Sequence, residues 1–315
     1  MKKVLLFLLI LFFLPLNKAW AASVSLGIYP PIIQVNAVPP ADIASPLSIQ
    51  NNGDESLSVK IELRPFVSSD QENGQIRYIG QEEANFADPL ILQRVKIYDG
   101  DLETTQLDIA PGQKKDLNLR ITIPKDSPQA DYYFSIVFLS GPKSFGDMSS
   151  SQSLTGIASN VLLAVGGGKI TGNVQEFSVP FLVENAPVPF TVRIKNTSNH
   201  FITPKGEIVI SNIFGQKVGH INLLETNILA QSVRNIPSTE FIDEGKNLPD
   251  TVAAYWSNKF VIGPYKATLN MALSDQGPVF SQTIIFFAFP FRLAGGLIIA
   301  TLLLIYVIVK VKSRT

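Results

Sequence analysis

The sequence predicts an all-β protein: two tandem immunoglobulin-like β-sandwiches, preceded by a signal peptide and followed by one C-terminal transmembrane helix. Three observations predict it. Short runs of alternating or β-branched residues recur between the two ends, broken by Gly, Pro, Asn and Asp at the spacing of sandwich strands. The order of those runs repeats once. The only long apolar stretches lie at the two termini.

Lys2-Lys3 followed by the apolar run Val4 to Leu16 has the layout of a secretory signal, and Ala19-Trp20-Ala21 supplies the small residues that signal peptidase requires. Cleavage is expected after Ala21. At the other end, Phe291 to Val309 would span about 28 Å as a helix, close to the roughly 30 Å hydrocarbon core of a bilayer. Pro290 suits a first helical turn, and Arg292 lies at the outer edge, where a long side chain can snorkel. Lys310, Lys312 and Arg314 mark the cytoplasmic side. The expected organisation is a signal peptide at 1–21, a first sandwich at 22–168, a second at 169–289, a transmembrane helix at 290–310 and a basic tail at 311–315. This places the protein at the cell membrane with its sandwiches outside. Gly296 and Ala300 form a small-xxx-small pair, which admits a homodimer without requiring one.

In the first sandwich, Val24 to Tyr29 leads through Pro30-Pro31 to Ile32 to Val35, a break that lets an edge strand change sheets. Leu47 to Ile49 runs into the turn Asn51-Asn52-Gly53-Asp54. Leu57 to Leu63 alternates cleanly, Pro111-Gly112 turns into Leu117 to Ile123, and Tyr132 to Leu139 and Ile157 to Val165 complete the sheets. Gly166-Gly167-Gly168 marks the boundary as a hinge or a tight crossover. In the second sandwich, Phe190 to Ile194 runs into Asn196-Thr197-Ser198-Asn199, as the earlier strand ran into its own Asn-rich turn. Ile208 to Ile210, Val218 to Leu223, Ile228 to Ile236, Tyr265 to Leu273 and Val279 to Phe287 follow. Tyr132 and Tyr265 each open a penultimate strand, the place where an immunoglobulin-like sandwich bonds a tyrosine hydroxyl back to nearby backbone as a structural corner.

Chemistry is sparse. The absence of cysteine removes disulfides, thiolate catalysis and Cys-ligated metals. The two ends hold seven Lys and Arg, leaving 19 between residues 22 and 290 against all 26 Asp and Glu, a balance of about −7. That acidic surface argues against nucleic acid. The two histidines, His200 and His220, stand in no G-x-S-x-G, phosphate-loop or H-E-x-x-H context. The pairs Asp99 and Asp101, and Glu82 and Glu83, are the residue types that glycoside cleavage uses, but acids in loops are more often solvated surface. Asp70 and Glu72 with Asp99 and Asp101 lack a calcium-loop pattern. No catalytic residue, cofactor or metal is expected. Asn196-Thr197-Ser198 reads as a glycosylation sequon and equally as a β-turn, and the turn is preferred. The candidate contact surfaces are Lys143 to Ser153, a Ser- and Gly-rich loop that more often is a mobile hairpin tip, the polar insertion 66–94 with Phe66, Tyr78 and Phe86 as anchors, and the insertion Glu240 to Gly263 with Tyr255 and Trp256, although a lone Trp beside a core strand more often packs than binds.

Ser45-Pro-Leu-Ser-Ile-Gln-Asn-Asn-Gly-Asp54, Pro204-Lys-Gly-Glu-Ile208, Asn212-Ile-Phe-Gly-Gln216 and the Trp256, Phe260, Gly263, Tyr265 spacing give the chain the look of the bacterial WxL-interacting cell-surface proteins. The resemblance spans nearly the whole mature chain. It implies a non-enzymatic surface protein that binds peptidoglycan or another surface protein, and it carries no ligand-binding residue. Two other classes remain from the residues: a membrane-tethered assembly chaperone working through an exposed strand edge, and an envelope hydrolase using loop carboxylates.

Overall fold

The computed structural model describes residues 25–141, 155–239, 254–258, 261–275 and 277–312. The expected signal peptide, the loop Lys143 to Ser153 and most of the insertion from Glu240 lie outside the described residues. The described chain is mostly strand, arranged as two β-sandwiches, each around its own apolar core.

The N-terminal sandwich comprises β1 (Leu26–Tyr29), β2 (Ile32–Ala37), β3 (Ala41–Asn51), β4 (Leu57–Ser68), β5 (Ile76–Tyr78), β6 (Val95–Asp99), β7 (Leu102–Glu103), β8 (Gln106–Ile109), β9 (Lys114–Ile123), β10 (Ala130–Gly141) and β11 (Thr155–Val165), with a short 3-10 turn at Ile91–Arg94. One sheet runs β1-β3-β9-β6-β7. The other runs β2-β11-β10-β4, and β4 then pairs with β8 along its first half and β5 along its last. Alternation decides which side chains face inward. Leu117, Leu119, Ile121 and Ile123 of β9 meet Phe134, Ile136 and Phe138 of β10 across the core. Burying each such side chain contributes roughly 1.5–3 kcal/mol.

Pro46 lies in the middle of β3, a strand the sequence marked only at Leu47 to Ile49. It is tolerated because β1 pairs with β3 only from Ser48 onward, so no neighbouring strand calls on an N–H at position 46.

The C-terminal sandwich comprises β12 (Gly172–Ser178), β13 (Leu182–Val183), β14 (Val188–Asn196), β15 (Lys205–Asn212), β16 (Lys217–Asn222), β17 (Val233–Asn235), β18 (Ala254–Trp256), β19 (Gly263–Ala272) and β20 (Val279–Ala288). Its sheets run β12-β14-β17, with β18 also on β14, and β13-β20-β19-β15-β16. The run Ile228 to Ile236, expected as one strand, forms an isolated bridge from Ile228 to Ile202 and then only β17. The reason is local: the turn through Gln231, at φ 60, breaks the extended backbone.

Only Phe289 and Pro290 separate β20 from the helix α1 (Phe291–Lys312). The side chains described from Leu297 to Tyr306 are exposed on every side of it. Among the described residues, no helix is long and apolar enough to cross a membrane, so the span expected at 290–310 rests on the sequence.

Candidate binding edge and the junction between the sandwiches

The strand edge is built by the switch at Tyr29-Pro30-Pro31. β1 pairs with β3 in one sheet, and after the prolines β2 pairs in parallel with β11 in the other. Pairing of β2 with β11 starts at Asn160, whose N–H donates to the Pro31 carbonyl at 2.9 Å. Before that point, among the described residues, no strand pairs with the outer side of Thr155 to Ser159. Strand alternation turns the backbone of Ala158 and Gly156 to the same side as that of Asn160. The result is a five-residue stretch, roughly 16 Å of backbone, at the distal end of the β10–β11 pair, in which Gly156 and Ala158 turn their N–H and C=O groups outward. Gly156 sits close against its neighbour: a Cβ there would come 2.9 Å from Leu139 Cδ2.

The proximal end of β11 runs into a cleft between the sandwiches, lined among others by Ile32, Asn160, Leu162, Asn227 and Arg234. Arg234 Nη1 donates to the Asn227 carbonyl at 2.6 Å, while its Nε is buried and has no hydrogen-bond partner among the described residues. Burial pulls the Arg234 guanidinium below its ordinary pKa.

The polar insertion 66–94 forms much of this junction. Phe66 is buried and stacks on Tyr133 with ring centres 6.1 Å apart; Phe86 packs edge-on against Tyr132 at 5.5 Å. The turn between β4 and β5 reaches the C-terminal sandwich. Glu72 pairs through its carboxylate with Arg193, which also holds Glu176 at 3.3 Å, and the Glu72 carbonyl accepts the Asn235 N–H at 2.7 Å. Gly74, at φ +83, lets the Arg234 guanidinium lie over the turn, where a Cβ would come within 2.2 Å of it. A second contact joins Asp131 to His200, Phe201 and, through Tyr133, to the Ala230 N–H. Burial, reinforced by the neighbouring Asp131 charge, pushes the Tyr133 phenol far up.

The structure separates the contact residues expected from sequence. Tyr78 is 43 % exposed at the end of β5. Phe86 is only partly exposed and serves as an anchor of the insertion. Trp256 is set aside as a candidate contact: at 4 % exposure it lies in the core, the packing role that a lone Trp beside a core strand more often takes. Pairing of β18 with β14 turns the indole inward, onto Tyr265 at 5.3 Å and Phe286 at 6.3 Å. The two corner tyrosines do bond back to backbone. Tyr265 Oη donates to the Ile262 carbonyl and accepts the Ile262 N–H, both at 3.1 Å. Tyr132 Oη donates to the Pro128 carbonyl at a longer 3.5 Å.

The two Asn-rich turns are built alike. Asn51 Nδ2 donates to the Glu55 and Ile109 carbonyls at 2.7 and 3.1 Å, and its Oδ1 accepts the Gly53 N–H. Asn196 Nδ2 donates to the His200, Ile228 and Leu229 carbonyls at 2.8–3.0 Å, and its Oδ1 accepts the Ser198 N–H. Both asparagines are fully buried, which withdraws Asn196 from glycosylation in the folded chain.

Of the acids considered for hydrolysis or calcium, two are held in ion pairs. Asp99 pairs with Lys115 at 2.9 Å and Glu72 with Arg193. His220 pairs with Glu207 on the surface of the C-terminal sandwich. Among the described residues, no three His, Asp or Glu side chains converge to hold a metal.

No family model matches the chain, and no curated protein matches it. Its fold is similar to those of several solved structures. The class 5 fimbriae chaperone CfaA is 13% identical, covers 84% of this chain and 100% of its own, and gives a TM-score of 0.36. The E. coli chaperone DraB is 12% identical over 82% of this chain and 96% of its own, at 0.35. The Salmonella enterica SafA pilin in complex with the SafB chaperone is 10% identical over 84% and 98%, also at 0.35. At these identities and scores the likeness by itself assigns no activity to this chain.

Proposed function

We propose that this chain is a membrane-tethered, non-enzymatic protein that holds another protein of the cell envelope by strand addition to β11. The observation that carries the reading is the outer edge at Thr155 to Ser159, with which no strand pairs among the described residues. An extended partner segment laid there satisfies outward backbone groups and extends the sheet, with main-chain hydrogen bonds supplying affinity and alternate side chains specificity. The sheet-switching edge strand supports this, because it protects the rest of β11 and stops short of these five residues.

Tethering is supported by the apolar run Phe291 to Val309 and the basic residues after it, and export by the N-terminal segment. Membership of the WxL-interacting group is part of the proposal and agrees with a surface-displayed binder. A protein partner is preferred to peptidoglycan because the feature on offer is a backbone edge, which recognises polypeptide. Affinity capture from an envelope extract tests the reading. The intact protein is expected to retain an envelope protein and Ala158→Pro, which removes an outward N–H, to lose it. Retention indifferent to that substitution, or retention of purified peptidoglycan alone, would contradict it.

A further inference from the structure

The end of the C-terminal sandwich from which α1 departs carries apolar side chains that the sandwich does not use. β15, β19 and β20 are in register there, with Asn212 opposite Tyr265 and Tyr265 opposite Phe286, and β13 lies alongside, with Leu182 opposite Phe287. Everything just beyond that row therefore lies at one end of the molecule: the β15–β16 turn, the approach to β19, the approach to β13 and the exit of β20. At those places stand Phe181, Ile213, Phe214, Ile262, Phe287 and Phe289, all exposed, Phe214 by 80 %. A cluster of this size on the end of a soluble sandwich marks an interaction surface.

We infer that this end is a lipid-seating surface, whose aromatic and aliphatic side chains enter the headgroup and upper acyl region of the bilayer around the start of α1. The inference rests on the membrane-tethering reading above. Three observations select lipid over a protein partner. First, only two residues separate α1 from β20, and its side chains from Leu297 to Tyr306 are exposed and, Thr301 apart, apolar or aromatic, as suits a helix taken up by an apolar phase. The phase that receives it starts at this patch. Second, the exit of the helix is tied down: the Arg292 N–H donates to Glu184 Oε1 at 3.1 Å, and its guanidinium pairs with Glu184 Oε2 at 3.2 Å. Glu184 directly follows β13, so the helix start and the patch are held together. Third, exposed Lys266 and Lys217 stand in the register row just behind the apolar residues, level with Ile285 and Ser211. Cations at that depth meet lipid phosphates when the residues ahead of them are immersed. Val279, at the opposite end of β20, is equally available as a water-facing reference, being 74 % exposed.

The chain contains no cysteine, so single nitroxide labels can be placed on the full protein reconstituted in vesicles of phosphatidylcholine and phosphatidylglycerol. Labels at Phe214→Cys, Val279→Cys and Leu303→Cys are compared for collision with oxygen, which concentrates in lipid, and with a water-soluble nickel chelate. Leu303 is expected in hydrocarbon, Val279 in water, and Phe214 shielded several-fold from the chelate relative to Val279 while open to oxygen. Phe214 matching Val279 with Leu303 in hydrocarbon would overturn the seating and leave the tether standing. Leu303 in water would overturn the tether and the seating with it. Shielding of Phe214 from both reagents with spin–spin broadening would assign the patch to a second copy instead. All three positions are exposed, so the substitutions spare both cores.

Discussion

Asp131 at the start of β10 receives His200 from the other sandwich: His200 Nδ1 lies 2.6 Å from Asp131 Oδ1, across 69 positions of sequence. The same carboxylate accepts the Phe201 N–H at 2.6 Å and the Tyr133 hydroxyl. With its side chain 3 % exposed, it is a fastener that water does not reach.

Asp131→Ala should loosen the junction. It leaves the Phe201 N–H and the Tyr133 hydroxyl buried without an acceptor, at about 1–3 kcal/mol each. Trypsin cleavage at exposed Lys169, just after the glycine link, should accelerate, while near-ultraviolet circular dichroism of the two cores persists. Asp131→Asn, which retains an acceptor oxygen, should have a smaller effect. An unchanged cleavage rate in both would show that the contact does not hold the sandwiches together.

The paired asparagine turns give a matched prediction. Asn196→Ala removes an amide whose two hydrogens are shared over three carbonyls, each of which keeps a second donor (Ser198 Oγ on His200, the Ile202 N–H on Ile228, the Ser232 N–H on Leu229), and it strands the Ser198 N–H. Asn51→Ala removes the donors to two carbonyls and strands the Gly53 N–H. With a typical net hydrogen bond near 1 kcal/mol, each loss should be roughly 2–3 kcal/mol. Denaturant unfolding of the full protein in detergent micelles measures both.

Gly219 lies under the indole of Trp256, where a Cβ would come 2.3 Å from Nε1 and 2.6 Å from Cε2. A ring wedged between Tyr265 and Phe286 has little room to yield. Gly219→Ala should cost about 1–3 kcal/mol by overpacking and weaken the near-ultraviolet signal of the cluster.

Hydrogen bonds from Arg64 and Lys60 hold the Glu62 carboxyl below its ordinary value of 4.5, and a hydrogen bond from His220 does the same for Glu207. A depressed folded-state pKa adds stability above 4.5 that is lost as pH falls through the folded value. Thermal stability should therefore decline below about pH 4.5, and Glu62→Gln should flatten that decline. The pair is partly exposed, so its share stays below about 1 kcal/mol.

The strands were legible where one face is buried and the other wet. Leu57 to Leu63 and Leu117 to Ile123 alternate because each lies on the face of a sandwich, and they fall within β4 and β9. β3 was legible only in part, because Pro46 hides a strand whose outer side happens to lack a neighbour there. β12 gave no clear pattern, since Gly172 and a bulge between Val174 and Glu176 interrupt its period. The Asn-rich turns were visible as turns, but not as buried hydrogen-bond hubs, because their carbonyl partners lie as far as 58 positions away. The choice between contact and core for Trp256 was not legible for a related reason. A three-residue strand has too short a period to reveal which face its indole takes, and pairing with β14 decides it. The β11 edge depends on where a partner strand stops, a fact of register that no local pattern holds.

The central claim, strand addition at β11, is tested most directly by site-specific photo-crosslinking in cells. A photoreactive phenylalanine at Thr155 is expected to trap a single envelope protein, and the adduct should vanish when Ala158→Pro is added. The same group at Asp108, exposed on β8 at the far edge of the same sheet, should trap none. Equal trapping from both positions, or an adduct at Thr155 that survives Ala158→Pro, would contradict the account.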